Sequence, residues 1–473
     1  MAVKTFEVKF SDLAKEYSSR FDCDFLDFSI KEKQKNDYSF NDLFDFIQRE
    51  KVDIENLKTF NYAEIGNVEK TGDVGFVSLN FNNRNELNEN YFSKIEKGDI
   101  LKPELNDILI SSVRPNLKKF VFVNKEESDS YFTKAFIHLR PKGINSRVIY
   151  YALRSVFLKN LISISRQGKG YPTLKNVDLK YLYFDKDVIE KLKSTQDQAV
   201  AKIKPIEDKI KKLKSQIKEP ADIINKVFTR EFKFDLEEFK KLKKEKNFKI
   251  SLSKFSNNKD LRCSFKFHNK AGKFVLDFLK SITNKRIKDF LAESIILGAG
   301  ISPKFYDENG DYYYISMADI KKWYFDEGNA KCVSAQYAEK NNAKEIQKND
   351  IILARSGEGT VGKVALIKKE IKGIFCDFTM RIKLKDYNEL FAYYYFRTDF
   401  FQYLIEVNKK GLGNNTNIFP SQIQEFPLLD VSLSQQQKIV NEIKTKLNKQ
   451  EKIRKKIGKE REKIDEIINQ CIK

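Results

Sequence analysis

Apolar residues along the chain follow two kinds of pattern, and each kind occurs twice. Over residues 187–218, Ala199, Ile203, Ile206, Ile210, Leu213 and Ile217 follow one another in alternating steps of four and three, with Lys and Glu between them. That spacing predicts a helix with one apolar stripe. Over residues 434–471, Ile439, Ile443, Ile453, Ile457, Ile464, Ile467 and Cys471 keep the same phase, with Lys446, Gln450 and Glu460 interrupting it. Pro205 predicts a kink in the first helix, and Pro220 marks its end. At ~1.5 Å per residue each helix reaches on the order of 45 Å. Ahead of each lies a mixed, aromatic-rich segment. Its short strand-type runs are 107–111 and 119–123 in one case, 351–354 and 363–367 in the other, broken by Gly, Asn and Asp.

The two halves align at an offset of roughly 240 residues, a signature of tandem duplication. Ser11 and Leu13 match Ser253 and Phe255, and Cys23-Asp24-Phe25 matches Cys263-Ser264-Phe265. Tyr62-Ala63-Glu64-Ile65-Gly66-Asn67-Val68 matches Tyr314-Ile315-Ser316-Met317-Ala318-Asp319-Ile320. Asn106-Asp107-Ile108-Leu109-Ile110 matches Asn349-Asp350-Ile351-Ile352-Leu353, and Leu174 and Leu179 match Ile418 and Ile423. The common order of these matches carries the argument. It predicts a first domain over 1–186, a helix over 187–219, a helical linker over 220–249, a second domain over 250–430 and a second helix over 431–473.

A lone helix cannot bury such a stripe. Antiparallel pairing of the two copies is the economical solution. It sets Ile203, Ile206, Ile210, Leu213 and Ile217 against Ile443, Ile453, Ile457 and Ile464, with the pair acting as a spacer. Independent helices, or coiled coils with other chains, are the alternatives.

Charge narrows the partner. The chain carries 88 Lys and Arg against 67 Asp and Glu, a net +21, which points to a polyanion: nucleic acid first, an anionic membrane second. A Lys-, Asn- and Ile-rich composition also fits an AT-rich genome. No apolar run approaches the ~18 residues of a membrane span. Residues 1–10 lack a signal-peptide core, so a cytoplasmic protein is expected. The five cysteines form no C-x-x-C, and His138 and His268 are the only histidines. This pattern argues against a disulfide framework, a zinc ribbon or histidine-based catalysis.

No catalytic motif is complete in the sequence. Gly357-Glu358-Gly359-Thr360-Val361-Gly362-Lys363 fits the start of a phosphate-binding loop, but Val364 replaces the magnesium-holding Ser or Thr and begins a strand rather than a helix. A glycine-rich hairpin tip is the better reading, with Arg355, Ser356, Thr360 and Lys363 placed to contact DNA. No G-x-G-x-x-G occurs, no prolines are adjacent, and the carboxylates lie mostly in helical Glu/Lys patterns. A self-contained nuclease or methyltransferase is therefore disfavoured. A coiled-coil adaptor or an RNA-binding protein remains the alternative.

Basic and aromatic residues gather in two corresponding loops. Arg166, Gln167, Lys169 and Tyr171 precede Leu174, while Lys409, Lys410, Asn414, Asn415, Thr416 and Asn417 precede Ile418. Arg, Lys, Asn and Gln pair with base edges or phosphates, and glycine lets a loop enter a groove. Arg114 and Lys118 lie where the first half lacks the glycine hairpin. Similar scaffolds with different tips would read different sequences.

Residues 349–357 with Gly359 to Lys363, the segment from Gly413 to Pro420 with Ile423 and Pro427-Leu428-Leu429, and the helix opening Ser434-Gln435-Gln436-Gln437-Lys438-Ile439-Val440 resemble the specificity subunit of type I restriction-modification systems. The first half departs more, with Ser112-Val113-Arg114-Pro115 in place of the glycine hairpin and Thr195-Gln196-Asp197-Gln198 at the helix opening. The resemblance implies an α/β (α+β) fold: two α/β target recognition domains separated by a pair of long antiparallel helices, a tandem repeat with pseudo-twofold symmetry. It implies a non-catalytic chain that recognises a bipartite site in double-stranded DNA, with half-sites about one turn, roughly 34 Å, apart. Its implied partners are two methyltransferase (modification) subunits, and restriction subunits joined through them. S-adenosylmethionine, ATP and Mg²⁺ would belong to those partners, and no cofactor or metal to this chain.

Overall fold

The computed structural model describes residues 25–26, 38–47, 52–54, 57–84, 88–167, 171–245, 247–253, 262, 264–328, 330–357, 359–411 and 415–473. Ser11, Leu13, Cys23 and Cys263, used in the alignment of the halves, lie outside them. The chain forms two compact units, Met1–Gln216 with Arg454–Lys473, and Ile217–Ile453.

Besides two two-stranded pairings, the described residues of the first unit form two larger sheets. One has strand order Phe44–Phe46, Phe136–Pro141, Ile108–Ser111, Phe120–Phe122, all antiparallel. The other places Thr59–Ala63 between antiparallel Val77–Asn80 and parallel Tyr131–Phe132. Ile108–Ser111 is buried throughout, which suits its unbroken apolar run. Leu109, Val121, Phe132 and Phe136 form a core cluster with Ala63 and Val68. Helix Ser146–Arg154 is capped by Asn145, whose side chain accepts the Arg147 N–H, and buries Val148, Ile149 and Leu153.

The second unit repeats the two larger sheets strand for strand. Its four-stranded sheet runs Ile296–Leu297, Thr379–Ile382, Ile351–Ala354, Val364–Leu366. Its three-stranded sheet sets Tyr312–Ile315 between antiparallel Lys331–Val333 and parallel Gly373–Phe375. Registers correspond: Ile108 faces Phe122 and Leu139, and Ile351 faces Leu366 and Ile382. Both central strands leave the same turn. Asn106 and Asn349 sit at φ 70° and 75°, a left-handed conformation that Asn tolerates better than most residues. The next residue's carboxylate then accepts a backbone N–H three residues back, Glu104 to Asp107 at 2.9 Å and Gln347 to Asp350 at 2.8 Å.

Two long helices complete the fold, Lys186–Lys214 and Leu433–Cys471. Lys191 Nζ donates to the Ile472 carbonyl at 3.3 Å, Lys209 pairs with Glu460 at 2.7 Å, and the Lys218 N–H donates to Gln450 at 2.8 Å. Partner numbers fall as the first stretch rises, so it runs antiparallel to the last helix. Ile203, Ile210, Ile443, Ile453, Ile457 and Ile464 are buried, while Ile206, Leu213 and Ile217 are half-buried. Past Ile464 the buried position is Ile468, so the stripe steps by four to 468 rather than by three to Ile467.

The first helix continues through Pro205; both Pro205 and Ala201, whose carbonyl loses its intrahelical donor, are exposed. Two expectations change. Residues 220–249 are no linker. They form helices Pro220–Phe232 and Leu236–Lys244, opened by Pro220 and capped by Asp235, and Ile224, Val227, Phe228, Phe234 and Phe239 belong to the second unit's core. Their apolar faces must be buried somewhere, and the Phe228 ring meets Phe391 at 5.3 Å. Nor do the long helices form separate domains, because the last one is divided between the two units at residue 453.

Candidate nucleic-acid interface

In each unit the central strand leads into a hairpin, and the hairpins are built differently. In the first, Arg114 (φ 52°) and Lys118 (φ 54°) flank a turn at Pro115–Leu117. In the second, Gly357 (φ 87°) and Gly362 (φ 84°) occupy the corresponding positions. The correspondence is set by hydrogen bonds: the Arg114 N–H donates to Pro172 O at 2.8 Å, and the Gly357 N–H to Thr416 O at 3.2 Å. Glycine adopts this backbone freely, whereas a side chain there costs roughly 1–2 kcal/mol. The first unit thus holds two basic residues in a strained conformation at its tip. Arg114 is exposed, its guanidinium 5.0 Å from the ring centre of Tyr171, which is 43% exposed.

The remaining first-unit candidates divide. Arg166 is spent inside the protein, its Nε donating to both oxygens of buried Asp178 at 2.9 and 3.0 Å. Gln167 pairs through its backbone with Pro172 in a two-residue strand. Lys169 lies outside the described residues.

In the second unit, Thr360 closes its own turn by donating to Ser356 O at 2.7 Å and Gly357 O at 3.0 Å. Ser356 is buried and bridges to Asn417. Strand Val364–Leu366 folds back antiparallel on Ile351–Ala354, so the glycine motif is a hairpin and not a phosphate-binding loop. Arg355 lies 5.5 Å from the ring of exposed Phe419, reaches Asn417 Oδ1 at 3.4 Å, and keeps a buried Nε without a hydrogen-bond partner. Lys410 and Asn417 exchange backbone hydrogen bonds at 2.7 Å, which closes the neighbouring loop. Lys409 pairs with Glu406 at 2.7 Å. Asn415 is exposed and Thr416 buried; Asn414 lies outside the described residues. Lys363 is half-buried and folds over Trp323, its ammonium 4.0 Å from the ring centre. Burial first, then Arg397 and Lys321, hold it below the ordinary lysine range.

The outward-facing set is therefore Arg114 with Tyr171 in one unit, and Arg355 with Phe419 and Asn415 in the other. Phe419 was not singled out from the sequence, because an aromatic residue before Pro420 reads as core until the loop is folded. Among the described residues no cluster of three or more His, Cys, Asp or Glu is arranged to hold a metal ion, and no helix is long and apolar enough to cross a membrane.

Beneath each hairpin lies a buried aspartate, and the two differ electrostatically. Asp107 accepts from His138 Nε2 at 2.7 Å and from Arg140 at 2.8 and 3.1 Å, and these contacts hold its carboxyl below the usual range despite burial. Asp350 is pushed above it, chiefly by burial. Its Oδ1 has no hydrogen-bond partner, and Arg381 stands 3.9 Å away, drawn off by Glu293 at 2.7 Å.

Residues 280–460, most of the second unit, match the family model for the Type I restriction modification DNA specificity domain. Over these residues the chain is similar to the DNA specificity domain of type I restriction-modification systems. Three solved structures align with most of it. One comes from work on complex assembly and conformational transition of the type I R-M system, at 13% identity and TM-score 0.39, covering 92% of this chain and 97% of that one. The HsdS subunit from Thermoanaerobacter tengcongensis aligns at 11% identity and TM-score 0.30, covering 92% and 95%. The S subunit of a type I system from M. genitalium aligns at 12% and 0.36, covering 93% and 97%. A search of curated proteins found no match.

Proposed function

We propose that each unit reads one half of a bipartite site in double-stranded DNA, through its hairpin and the loop beside it. The observation that carries this is a single scaffold built twice, with matching strand order and register but different side chains at the tip. Arg114 and Tyr171 serve one half-site; Arg355, Asn415 and Phe419 serve the other. Basic contacts to phosphates supply salt-dependent affinity, and contacts to base edges supply sequence. The paired helices act as the spacer, so unread bases separate the half-sites. Methyltransferase and restriction subunits supply the chemistry and hold S-adenosylmethionine, ATP and Mg²⁺.

Mapping methylated sites in a genome that carries this chain with its modification subunit tests the reading. A split motif is expected, and exchanging residues 286–430 for those of another family member should change one half of it only. An unsplit motif, or change in both halves, overturns it.

A further inference from the structure

Trp323 is the only tryptophan, and its backbone sits at φ 69°, where a bulky residue is an outlier. Two cations lie over its ring, Lys363 Nζ at 4.0 Å and the Arg397 guanidinium at 5.3 Å. Arg397 also donates to the Tyr393 hydroxyl at 2.7 Å, that hydroxyl donates to Trp323 O, and the buried Arg397 Nε has no partner. Exposed Lys321 adds to this field. Lys368, just past strand Val364–Leu366, joins it, lowered by partial burial first and then by Arg397 and Lys444. The acids of the neighbouring loop are taken elsewhere, Asp326 by Lys322 at 2.8 Å and Glu327 by Lys369 at 3.0 Å. Among the described residues, no carboxylate pairs with any of these five cations.

The first unit has answered the same charges. Arg154, the counterpart of Arg397, lies over Tyr150 as Arg397 lies over Tyr393. It is satisfied by the carbonyls of Lys118 at 2.5 Å and Lys70 at 2.8 Å. In the loop there, Asp73 takes both Lys214 and Arg461.

We propose that Lys363 and Arg397 on Trp323, rimmed by Lys321, Lys368 and Lys444, form a seat for a backbone phosphate of duplex DNA. The inference rests on the reading that the second unit grips DNA. Lys363 closes the very hairpin that starts at Arg355, so the seat continues from the proposed reading loop. With its face covered by cations, the indole is unavailable for stacking on a base, which leaves an anion as the ligand. The second unit is then the stronger electrostatic anchor of the two.

The test is the salt dependence of binding by the full chain, followed by fluorescence anisotropy with a random-sequence duplex and with a duplex carrying the methylation motif. The variants are Lys363→Gln and the exposed triple K321Q/K368Q/K444Q, which spares the core. Each should lower the slope of log affinity against log salt by about 0.9, one phosphate's worth, and weaken both duplexes by the same factor. An unchanged slope overturns the seat. So does a loss confined to the motif duplex, or weakened binding of the methyltransferase subunit with DNA binding intact, which would assign the cations to an acidic protein surface. Failure of the wider reading is separate: the unsubstituted chain would then show no preference for the motif duplex.

Discussion

The two units share a scaffold and differ in what they ask of it. At corresponding turns, the first places Arg114 and Lys118 in a left-handed backbone where the second has Gly357 and Gly362. At corresponding buried positions, Asp107 is fully partnered and Asp350 is not. Strand order and register survive duplication because they are fixed by the buried faces of Ile108–Ser111 and Ile351–Ala354. Loops carry no such constraint, so function can diverge there at small cost to the core.

The largest contrast should come from the turns. In Gly362→Ala the new Cβ would meet Gln402 Oε1 at 2.9 Å and Ile405 Cγ2 at 3.0 Å, at φ 84°. Backbone strain and overpacking together should cost about 2–4 kcal/mol. Lys118→Gly at the corresponding position should change stability by less than about 1 kcal/mol, since relieved strain offsets the added chain entropy. Equal losses at both sites would show that the hairpins are not equivalent.

Next come the aspartates. Asp107→Asn weakens the charged hydrogen bonds to buried His138 and to Arg140, which keeps Glu104, and is expected to cost about 2–3 kcal/mol in chemical denaturation. Asp350→Asn keeps an acceptor for the Gln347 N–H and should cost about 1 kcal/mol or less. Their pH dependences should oppose each other. Asp107, lowered in the fold, stabilises fully above the usual carboxylate range, and this contribution is lost as pH falls through its folded value. Asp350, raised in the fold, makes stability fall as pH rises from the usual range through its folded value. Denaturation of each Asn variant from pH 3 to 7, compared with the parent, separates the two slopes.

Arg114→Ala should leave the fold intact and weaken DNA binding by about 1–3 kcal/mol, 5- to 150-fold, with relaxed discrimination in one half-site. Arg166→Ala should instead lower stability, because it strands buried Asp178. Tyr171→Leu, which removes only the ring beneath Arg114, should be the mildest, at about 0.5–1 kcal/mol of binding.

The repeated plan was legible in the sequence because local patterns carry it. The Asn-Asp turns, the short apolar runs and the four-three stripes each occur twice in the same order. Where the first half departs at Thr195-Gln196-Asp197-Gln198, one contact is nevertheless shared: Gln196 accepts the Asn145 N–H at 2.6 Å, as Gln436 accepts that of Asn388 at 2.9 Å. What was not legible depends on contacts distant in sequence. Arg166 and Lys363 read as loop cations, yet buried Asp178 takes the first and the Trp323 ring holds the second. Residues 220–249 read as a connector because their core partners, Phe391 and Tyr395, lie far along the chain. Left-handed Arg114 and Lys118 carry no glycine to announce the turn.

The division of the last helix has a consequence during synthesis. Residues 454–473 belong to the first unit, where Arg461 reaches Asp73 and Glu460 reaches Lys209. The part of the protein translated first must therefore wait on the ribosome, its stripe at Ile203 and Ile210 laid down some 250 codons before those partners emerge. The unit encoded later holds its own share of that helix and can close before the earlier one does.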